Sequence, residues 1–295
     1  MSVAWLGETI CHDRALVGGK AAYLSRLAAD HPVPPGFCLT ATSPPDADDR
    51  TLHAAYDELA ARSATPAPAV AVRSSAVDED GATSSFAGQH ETYLNVIGAP
   101  AVAAAVRRCR DSARAPRAVA YREHQGLATA APRIAVLVQQ LVVADVSAVV
   151  FSANPITGDR RELVITASWG LGESVVGGTV TPDTYRVRKA GLGVIDLAIG
   201  TKERMTVAVP GGTREVGVPR LLRGVPSLGP EQVAALGGLA LRLEEACGWP
   251  VDLECAFAGD RLYLLQCRPI TTLGGPALER IGGAATAVSA AMAGL

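Results

Sequence analysis

The sequence predicts a protein that contains both helices and strands and is long enough for one two-lobed domain or two small ones. Its 295 residues and a hydrophobic content of 48% allow a sizeable core. The run Ile134–Val143 is continuously apolar and rich in β-branched residues, which is typical of a buried strand. The segment Gly229–Gly248 has apolar residues at helical spacing, and its last glycine suits a helix C-cap.

Composition and charge argue against several classes of function. The net charge is −2 and aromatic residues make up 4% of the chain, so neither a basic field nor a base-stacking platform points to nucleic acid. The six cysteines form no C-x-x-C pair, and we expect them to be buried and reduced. We see no signal peptide and no apolar run of about 18 residues. We therefore expect a cytoplasmic enzyme or binding domain without a membrane or nucleic-acid partner.

The stretch Ala71–Val96 has the composition of a polyphosphate site. A short strand, Val70–Arg73, leads into a loop, Ser74–Gln89, that is rich in Ser, Gly and acidic residues, and a second strand is predicted over Thr92–Val96. An arginine at a strand end can clamp phosphate oxygens, and small residues let backbone N–H groups approach them. The alternative is a solvated hairpin loop with a surface arginine.

A Gly-Gly-Lys segment opens the first predicted helix. Gly18 and Gly19 precede the helical pattern within Val17–Asp30, so Lys20 falls in its first turn. The helix dipole does not favour a cation there, which indicates that Lys20 is placed for an anionic ligand. A surface lysine is the alternative.

Two glutamines, Gln139 and Gln140, interrupt the apolar strand Ile134–Val143. Buried amides need hydrogen-bond partners. The edge of an adenine ring offers a donor and an acceptor, which suits backbone and amide groups at a strand end. The alternative is an amide paired within the protein.

A predicted hairpin between residues 251 and 268 carries a cluster of polar residues. Strands are predicted over Val251–Ala256 and Leu262–Arg268. Carboxylate and amide oxygens suit Mg²⁺, and an arginine can hold a transferring phosphate. The alternative is a cross-strand salt bridge between Glu254 and Arg268. Strict alternation predicts that two sets of three residues each share one face of their strand: Asp252, Glu254 and Ala256, and Leu264, Gln266 and Arg268.

Several motifs resemble, in order, the nucleotide-binding domain of the phosphoenolpyruvate synthase and pyruvate phosphate dikinase family, which includes rifampicin phosphotransferase. They are VRSSA, SFAGQHETYLNV, SAVVFSANPITG, GLGESVVGGTVTPDTY and DLECAFAGDRLYLLQCRPI. The resemblance covers roughly residues 15–272. It implies an α+β, ATP-grasp fold with the nucleotide between two lobes. We place the lobes at residues 1–132 and 133–275, followed by an Ala/Gly-rich tail at 276–295.

The resemblance also implies roles for individual residues. It implies that Lys20 and Arg73 bind the phosphates of ATP. It also implies that Glu254 and Gln266 are Mg²⁺ ligands and that Arg268 contacts a phosphate. Cys255 replaces the usual Trp, which we expect to alter packing rather than ligation. The remaining implied contacts to ATP are Gly88 and Thr92 over the polyphosphate and Gln139, Gln140, Leu141 and Val142 beside adenine.

The function implied is a stand-alone phosphotransferase module that uses ATP and Mg²⁺. None of the five histidines lies in the family's phosphohistidine context, so we do not expect the chain to be a complete dikinase by itself. The expected acceptor is a histidine on a separate partner protein, or else a small molecule. The alternatives are an ATP-grasp ligase that forms an acyl phosphate and releases ADP, and a non-catalytic nucleotide-binding module or a piece of a larger dikinase.

Overall fold

The computed structural model of the protein describes residues 2–43, 49–77, 92–112, 134–270 and 273. The chain divides into two compact units. The first comprises Met1–Leu141 and Val209–Thr213, and the second comprises Val142–Ala208 and Arg214–Leu295.

The first unit is built on a five-stranded antiparallel sheet in the order β1-β2-β5-β3-β4. Its strands are β1 (Val3–Trp5), β2 (Gly36–Leu39), β3 (Val70–Ala76), β4 (Thr92–Val96) and β5 (Ile134–Gln140). Its helices are α1 (Arg14–Leu27), α2 (Asp49–Arg62) and α3 (Ala99–Ser112), and a 3-10 turn over Thr9–His12 precedes α1.

One face of this sheet forms the core of the first unit. Alternate residues of β3 and β5 point to that face, as the period of two requires. They pack with apolar residues of α2 and α3, for example Leu59 and Val102, which are fully buried. The residues that β3 and β5 contribute to this cluster are Val70, Val72, Ala76, Ile134, Val136 and Val138.

The second unit is built on a six-stranded antiparallel sheet in the order β13-β12-β6-β7-β8-β9. Its strands are β6 (Val146–Phe151), β7 (Glu162–Trp169), β8 (Asp183–Arg188), β9 (Val194–Ala198), β12 (Val251–Ala258) and β13 (Arg261–Pro269). Its helices are α4 (Glu173–Val176), α5 (Arg220–Arg223) and α6 (Pro230–Cys247). A separate hairpin is formed by β10 (Arg204–Val209) and β11 (Gly212–Gly217).

Helix α6 covers one face of the second sheet, where it contacts β6 and β12. Leu236, Leu239 and Leu243 recur at helical spacing and are buried. The helix ends where Gly248 adopts a left-handed conformation, with φ of 75°, and donates its N–H to the carbonyl of Glu244. The helix predicted over Gly229–Gly248 is therefore confirmed, with its C-cap.

The α+β fold class is confirmed, because each unit combines helices with an antiparallel sheet. The division between the units falls after Leu141 rather than at residue 132, because β5 pairs with β2 and β3 of the first sheet. The tail at 276–295 lies outside the described residues. Among the helices that the structure describes, none combines the length and the hydropathy needed to cross a membrane.

Candidate functional site

The Gly-Gly-Lys segment lies at a break in α1. The helix begins earlier than predicted, at Arg14, but Gly18 leaves the helical conformation with φ of 75° and ψ of 170°. A Cβ atom on Gly18 would lie 2.3 Å from the carbonyl oxygen of Ser75, so only glycine permits this approach. The helix resumes at once, which places Lys20 in the first turn after the break.

The break brings this segment against strand β3. The N–H of Ala21, the residue after Lys20, donates to Oγ of Ser75 at 3.2 Å. Arg73 lies two residues before Ser75 and therefore leaves β3 on the same side of the sheet. The structure thus places Arg73 and the segment that carries Lys20 on the face opposite the α2 and α3 core.

Two further predicted residues share that face. Thr92 on β4 pairs directly with Arg73, and Leu137 on β5 pairs with Arg73 from the other side. Gln139 lies two residues beyond Leu137, opposite Ala71. Residues directly opposite each other in an antiparallel pair point to the same face. Arg73, Thr92 and Gln139 consequently line one surface; the predicted contact Gly88 lies outside the described residues.

The amide of Gln139 already has a partner inside the first unit. Gln139 is buried, and its Nε2 donates to the carbonyl of Pro34 at 3.2 Å. This is the paired amide that the sequence left open as an alternative. The next two backbone N–H groups are also used, because Gln140 donates to the Pro35 carbonyl and Leu141 donates to the Ala69 carbonyl.

In the second unit, the β12/β13 hairpin brings the predicted magnesium ligands together. Glu254 pairs directly with Gln266, and Asp252 pairs directly with Arg268. These four side chains therefore leave the hairpin on one face. Two carboxylates, one amide and one guanidinium thus lie side by side on neighbouring strands.

One sequence-based face assignment is wrong. Leu264 was expected on the same face as Gln266, but the ladder pairs Cys255 with Leu264 and Glu254 with Gln266, so Leu265 is an extra residue in β13. Such a bulge reverses the alternation of side chains. Leu264 accordingly points with Cys255 toward the opposite, buried face.

Arg268 is held by the carboxylate of Asp252, whose Oδ2 accepts a hydrogen bond from Nε at 2.7 Å. Sequence reasoning gave a salt bridge between Arg268 and Glu254 only as an alternative, and it gave Asp252 no role. The predicted alternation, which places Asp252 on the same face as Glu254, is the signal that could have found it. Burial raises the pKa of the Asp252 carboxyl above its ordinary value, and the charge of Arg268 opposes that rise.

The donor set is one of oxygen ligands rather than a cluster of histidine and cysteine. Within the described ranges, no group of three or more His, Cys, Asp or Glu residues is arranged to hold a metal ion. The Oδ1 atom of Asp252 is buried and makes no hydrogen bond to any residue that the structure describes. Together with Glu254 and Gln266, it offers the carboxylate and amide oxygens that Mg²⁺ prefers.

Comparison with known proteins relates the chain to one family. The profile of the pyruvate phosphate dikinase AMP/ATP-binding domain matches residues 42–281. The chain is 37% identical to the probable phosphoenolpyruvate synthase of Methanocaldococcus jannaschii, over 92% of the chain and 27% of that protein.

Two other relatives carry different names. The rifampicin phosphotransferase of Streptomyces sviceus is 37% identical over 88% of the chain and 34% of that protein. The prodigiosin synthesizing transferase PigC of Serratia marcescens is 39% identical over 88% of the chain and 32% of that protein. The chain spans between about a quarter and a third of the length of these three curated relatives.

Proposed function

Because the chain belongs to the pyruvate phosphate dikinase AMP/ATP-binding domain family, we propose that it binds ATP with Mg²⁺ and transfers a phosphoryl group from it. The observation that carries this proposal is the register of the β12/β13 hairpin, which sets Glu254 opposite Gln266 and Asp252 opposite Arg268. Phosphoryl transfer depends mainly on positioning and charge neutralisation, and this set of residues supplies both.

The first unit supplies cationic contacts to the polyphosphate. Arg73 presents a planar guanidinium that matches phosphate oxygens, and Lys20 adds a second positive charge. Their common side of the sheet supports a joint role, with Thr92 beside Arg73. Gly88 is proposed to close over the phosphates on the basis of the family motif alone.

The adenine ring is proposed to lie beside residues 139–142. The Gln139 amide is held by the Pro34 carbonyl, and the Leu141 N–H is held by the Ala69 carbonyl. The Gln140 N–H is also used, by the Pro35 carbonyl, so a base edge would meet other groups of this segment, such as the backbone of Val142. In this proposal the Gln139 side chain holds the segment in place, and backbone groups form the hydrogen bonds to the adenine edge.

The hairpin fits a magnesium ion. Glu254 and Gln266 would hold it, and the unpartnered Oδ1 of Asp252 supports a cation close by. When bound, Mg²⁺ neutralises charge on the phosphate oxygens. Asp252 also holds Arg268 through Nε, which orients the guanidinium toward developing charge.

The proposed acceptor is a histidine on a separate protein, which would give AMP and a phosphorylated or pyrophosphorylated partner. A small-molecule acceptor is the second candidate, and the similarity to rifampicin phosphotransferase favours it. Both acceptors would use the same ATP-binding residues of this chain, so an experiment must distinguish them.

The identity of the nucleotide product tests the reaction. The purified chain is incubated with ATP and Mg²⁺, with and without lysate from its source, and AMP and ADP are separated by chromatography. AMP that forms only with lysate supports transfer to a partner. ADP would instead indicate a direct kinase or a ligase, and ATP binding without either product would leave a nucleotide-binding module.

A substitution tests the site itself. We expect Glu254→Gln to reduce turnover more than about 100-fold, because altering even outer-shell partners of metal ligands costs 10- to 100-fold. Glu245→Gln is the matched control, since Glu245 is exposed on α6. Circular dichroism checks that both variants are folded. Turnover of Glu254→Gln equal to that of the control would refute the assignment of Glu254.

A further inference from the structure

Strand β9 forms an exposed edge of the second sheet. It stands at one end of the strand order, and in the part of the chain that the structure describes it pairs only with β8. All five of its residues are exposed. Proteins usually protect such an edge with lysine, proline or a covering segment, because its unpaired N–H and C=O groups can bind another strand. β9 contains neither lysine nor proline, and a bulge at Ile195 leaves Asp196–Ala198 regular. Its outer edge is therefore open to pairing.

The backbone groups of Leu197 point away from the sheet. The N–H of Arg188 on β8 donates to the carbonyl of Gly193, on the side of β9. Because N–H directions alternate along a strand, the N–H of Arg186 points to β9 as well, where it lies opposite Asp196. Asp196 therefore directs its own N–H and C=O to β8. The next residue, Leu197, directs its N–H and C=O out of the edge.

The same strand carries an apolar strip on the side of the sheet that α6 covers. Leu197 lies opposite Tyr185, and Val194 lies opposite Val187. Val187 in turn lies opposite Leu163, whose side chain approaches α6. By alternation, the two isoleucines that flank Leu197 at a distance of two residues lie on this side too. The four residues of this strip are between 37% and 48% exposed: Val194, Ile195, Leu197 and Ile199.

The segment is complementary to a second copy of itself. In an antiparallel pair with a two-fold axis at Leu197, that residue meets its own copy, and Ile195 meets Ile199. Asp196 meets Ala198, so the two carboxylates do not face each other, and each keeps the arginine opposite it on its own β8. Like charges directly opposite each other would destabilise the pair, and this register avoids them. The surface therefore fits an isologous contact, in which both copies use the same residues.

We propose that the chain forms a two-fold symmetric dimer through β9, which joins two six-stranded sheets into one of twelve strands. The N–H of each Leu197 donates to the carbonyl of Leu197 in the other copy. The two apolar strips meet on the side that α6 covers and leave water. Because β9 and β13 stand at opposite ends of the sheet, the contact does not use the β12/β13 hairpin.

Molar mass in solution tests the proposal without any nucleotide. The chain has a mass of 30.4 kDa, and light scattering after size-exclusion chromatography should give twice that mass at high protein concentration. Leu197→Lys should give a monomer, because a lysine on an edge strand opposes pairing. Leu221→Lys is the matched control, since Leu221 is 88% exposed but lies outside β9, and it should remain dimeric. Circular dichroism checks that both variants are folded. A wild-type protein that is monomeric at every concentration, or an oligomer that Leu197→Lys leaves intact, would overturn the proposal.

Cross-linking tests the register, and it decides the question even if Leu197→Lys does not fold. Opposite residues of a hydrogen-bonded antiparallel pair have Cα atoms about 5.5 Å apart, which a disulfide can span. Leu197→Cys should therefore form a disulfide between chains on mild oxidation, seen as a dimer on a non-reducing gel. Ile199→Cys is the control, because the proposed axis separates the two copies of residue 199 by four residues, or about 13 Å. No dimer band with Leu197→Cys beyond that of the wild type, or an equal yield from both variants, would refute this pairing.

Discussion

A lysine and an aspartate that are both fully buried stabilise the second unit. Nζ of Lys202 pairs with Oδ1 of Asp183, and neither side chain is exposed. Asp183 also accepts hydrogen bonds from the N–H of Gly200 and from the N–H and Oγ of Ser227. A buried charge is tolerated when its partners are this complete. The pair joins β8 to two loops that are distant in sequence.

Lys202→Met should leave Asp183 buried without its counter-ion. We expect this variant to lose about 3 kcal/mol or more of unfolding free energy, the usual cost of removing one partner of a buried pair. Chemical denaturation followed by circular dichroism measures the loss. The double variant Lys202→Met with Asp183→Asn should recover part of it, since no unpaired charge then remains.

The control for this prediction is Arg161→Gln. Arg161 pairs with Asp159, but its side chain is 90% exposed, so water replaces the partner. Its denaturation midpoint should be almost unchanged. A Lys202→Met protein that unfolds no more easily than Arg161→Gln would show that the buried pair does not stabilise the fold.

At the scale of single residues, the sequence indicates candidate chemistry but not the environment of a side chain. Lys20, Arg73, Glu254 and Gln266 were selected by residue type and motif, but nothing in the local sequence indicates that Lys202 is buried. Lys202 is surrounded by residues near positions 183 and 227. Contacts that are this distant in sequence cannot be predicted from the residues next to Lys202.

Among the elements, α1 depends on a glycine in its middle. Gly18 has a positive φ, and its Cα hydrogen faces the backbone of Ser75. The break lets Lys20 occupy the beginning of a new helical turn against β3. A residue with a side chain could not make this approach, because a Cβ atom at position 18 would meet the strand.

Gly18→Ala should destabilise the protein by more than conformational strain alone. Gly18 has φ of 75° and ψ of 170°, a region that only glycine commonly occupies, so an alanine there costs about 1–3 kcal/mol in strain. The clash at 2.3 Å with the Ser75 carbonyl adds to this cost. Gly98→Ala is the matched control, since Gly98 has φ of 89° but open space around its Cα. Thermal denaturation should show the larger loss for Gly18→Ala; equal losses would mean that the contact with Ser75 is unimportant.

Elements with strong periodicity were predictable. The long helix with its Gly248 cap agrees with the pattern of apolar residues, and the strand Thr92–Val96 has the predicted bounds. The break in α1 was not foreseen, because two glycines before an apolar pattern are equally consistent with a helix that starts there. The pairing of β5 with the first sheet was not predicted either, because the apolar run Ile134–Val143 does not specify which strands pair with it.

At the scale of the whole molecule, each unit has a core of its own. Ile134 on β5 is buried in the first core, and Ile165 on β7 is buried in the second unit. Ile134 packs with apolar residues of its own sheet and of α2 and α3. The length and hydrophobic content indicated one two-lobed domain or two small ones, but residue spacing cannot assign Val209–Thr213 to the first unit.

The substitutions Ile134→Val and Ile165→Val should be additive. Each should cost about 1 kcal/mol for the lost methylene, and the double variant should lose the sum within about 0.5 kcal/mol, because the two sites share no packing partner. Chemical denaturation of the four proteins measures this cycle. A coupling energy above about 1 kcal/mol would contradict the description of two separate cores.

The bulge at Leu265 also has a consequence for inherited variation. A codon deletion within a regular strand reverses the face of every later side chain. Deleting codon 265 instead removes the extra residue, so that Gln266 follows Leu264 in regular alternation and still faces Glu254. Among single-residue deletions in β13, we therefore expect the deletion of Leu265 to impair the protein least.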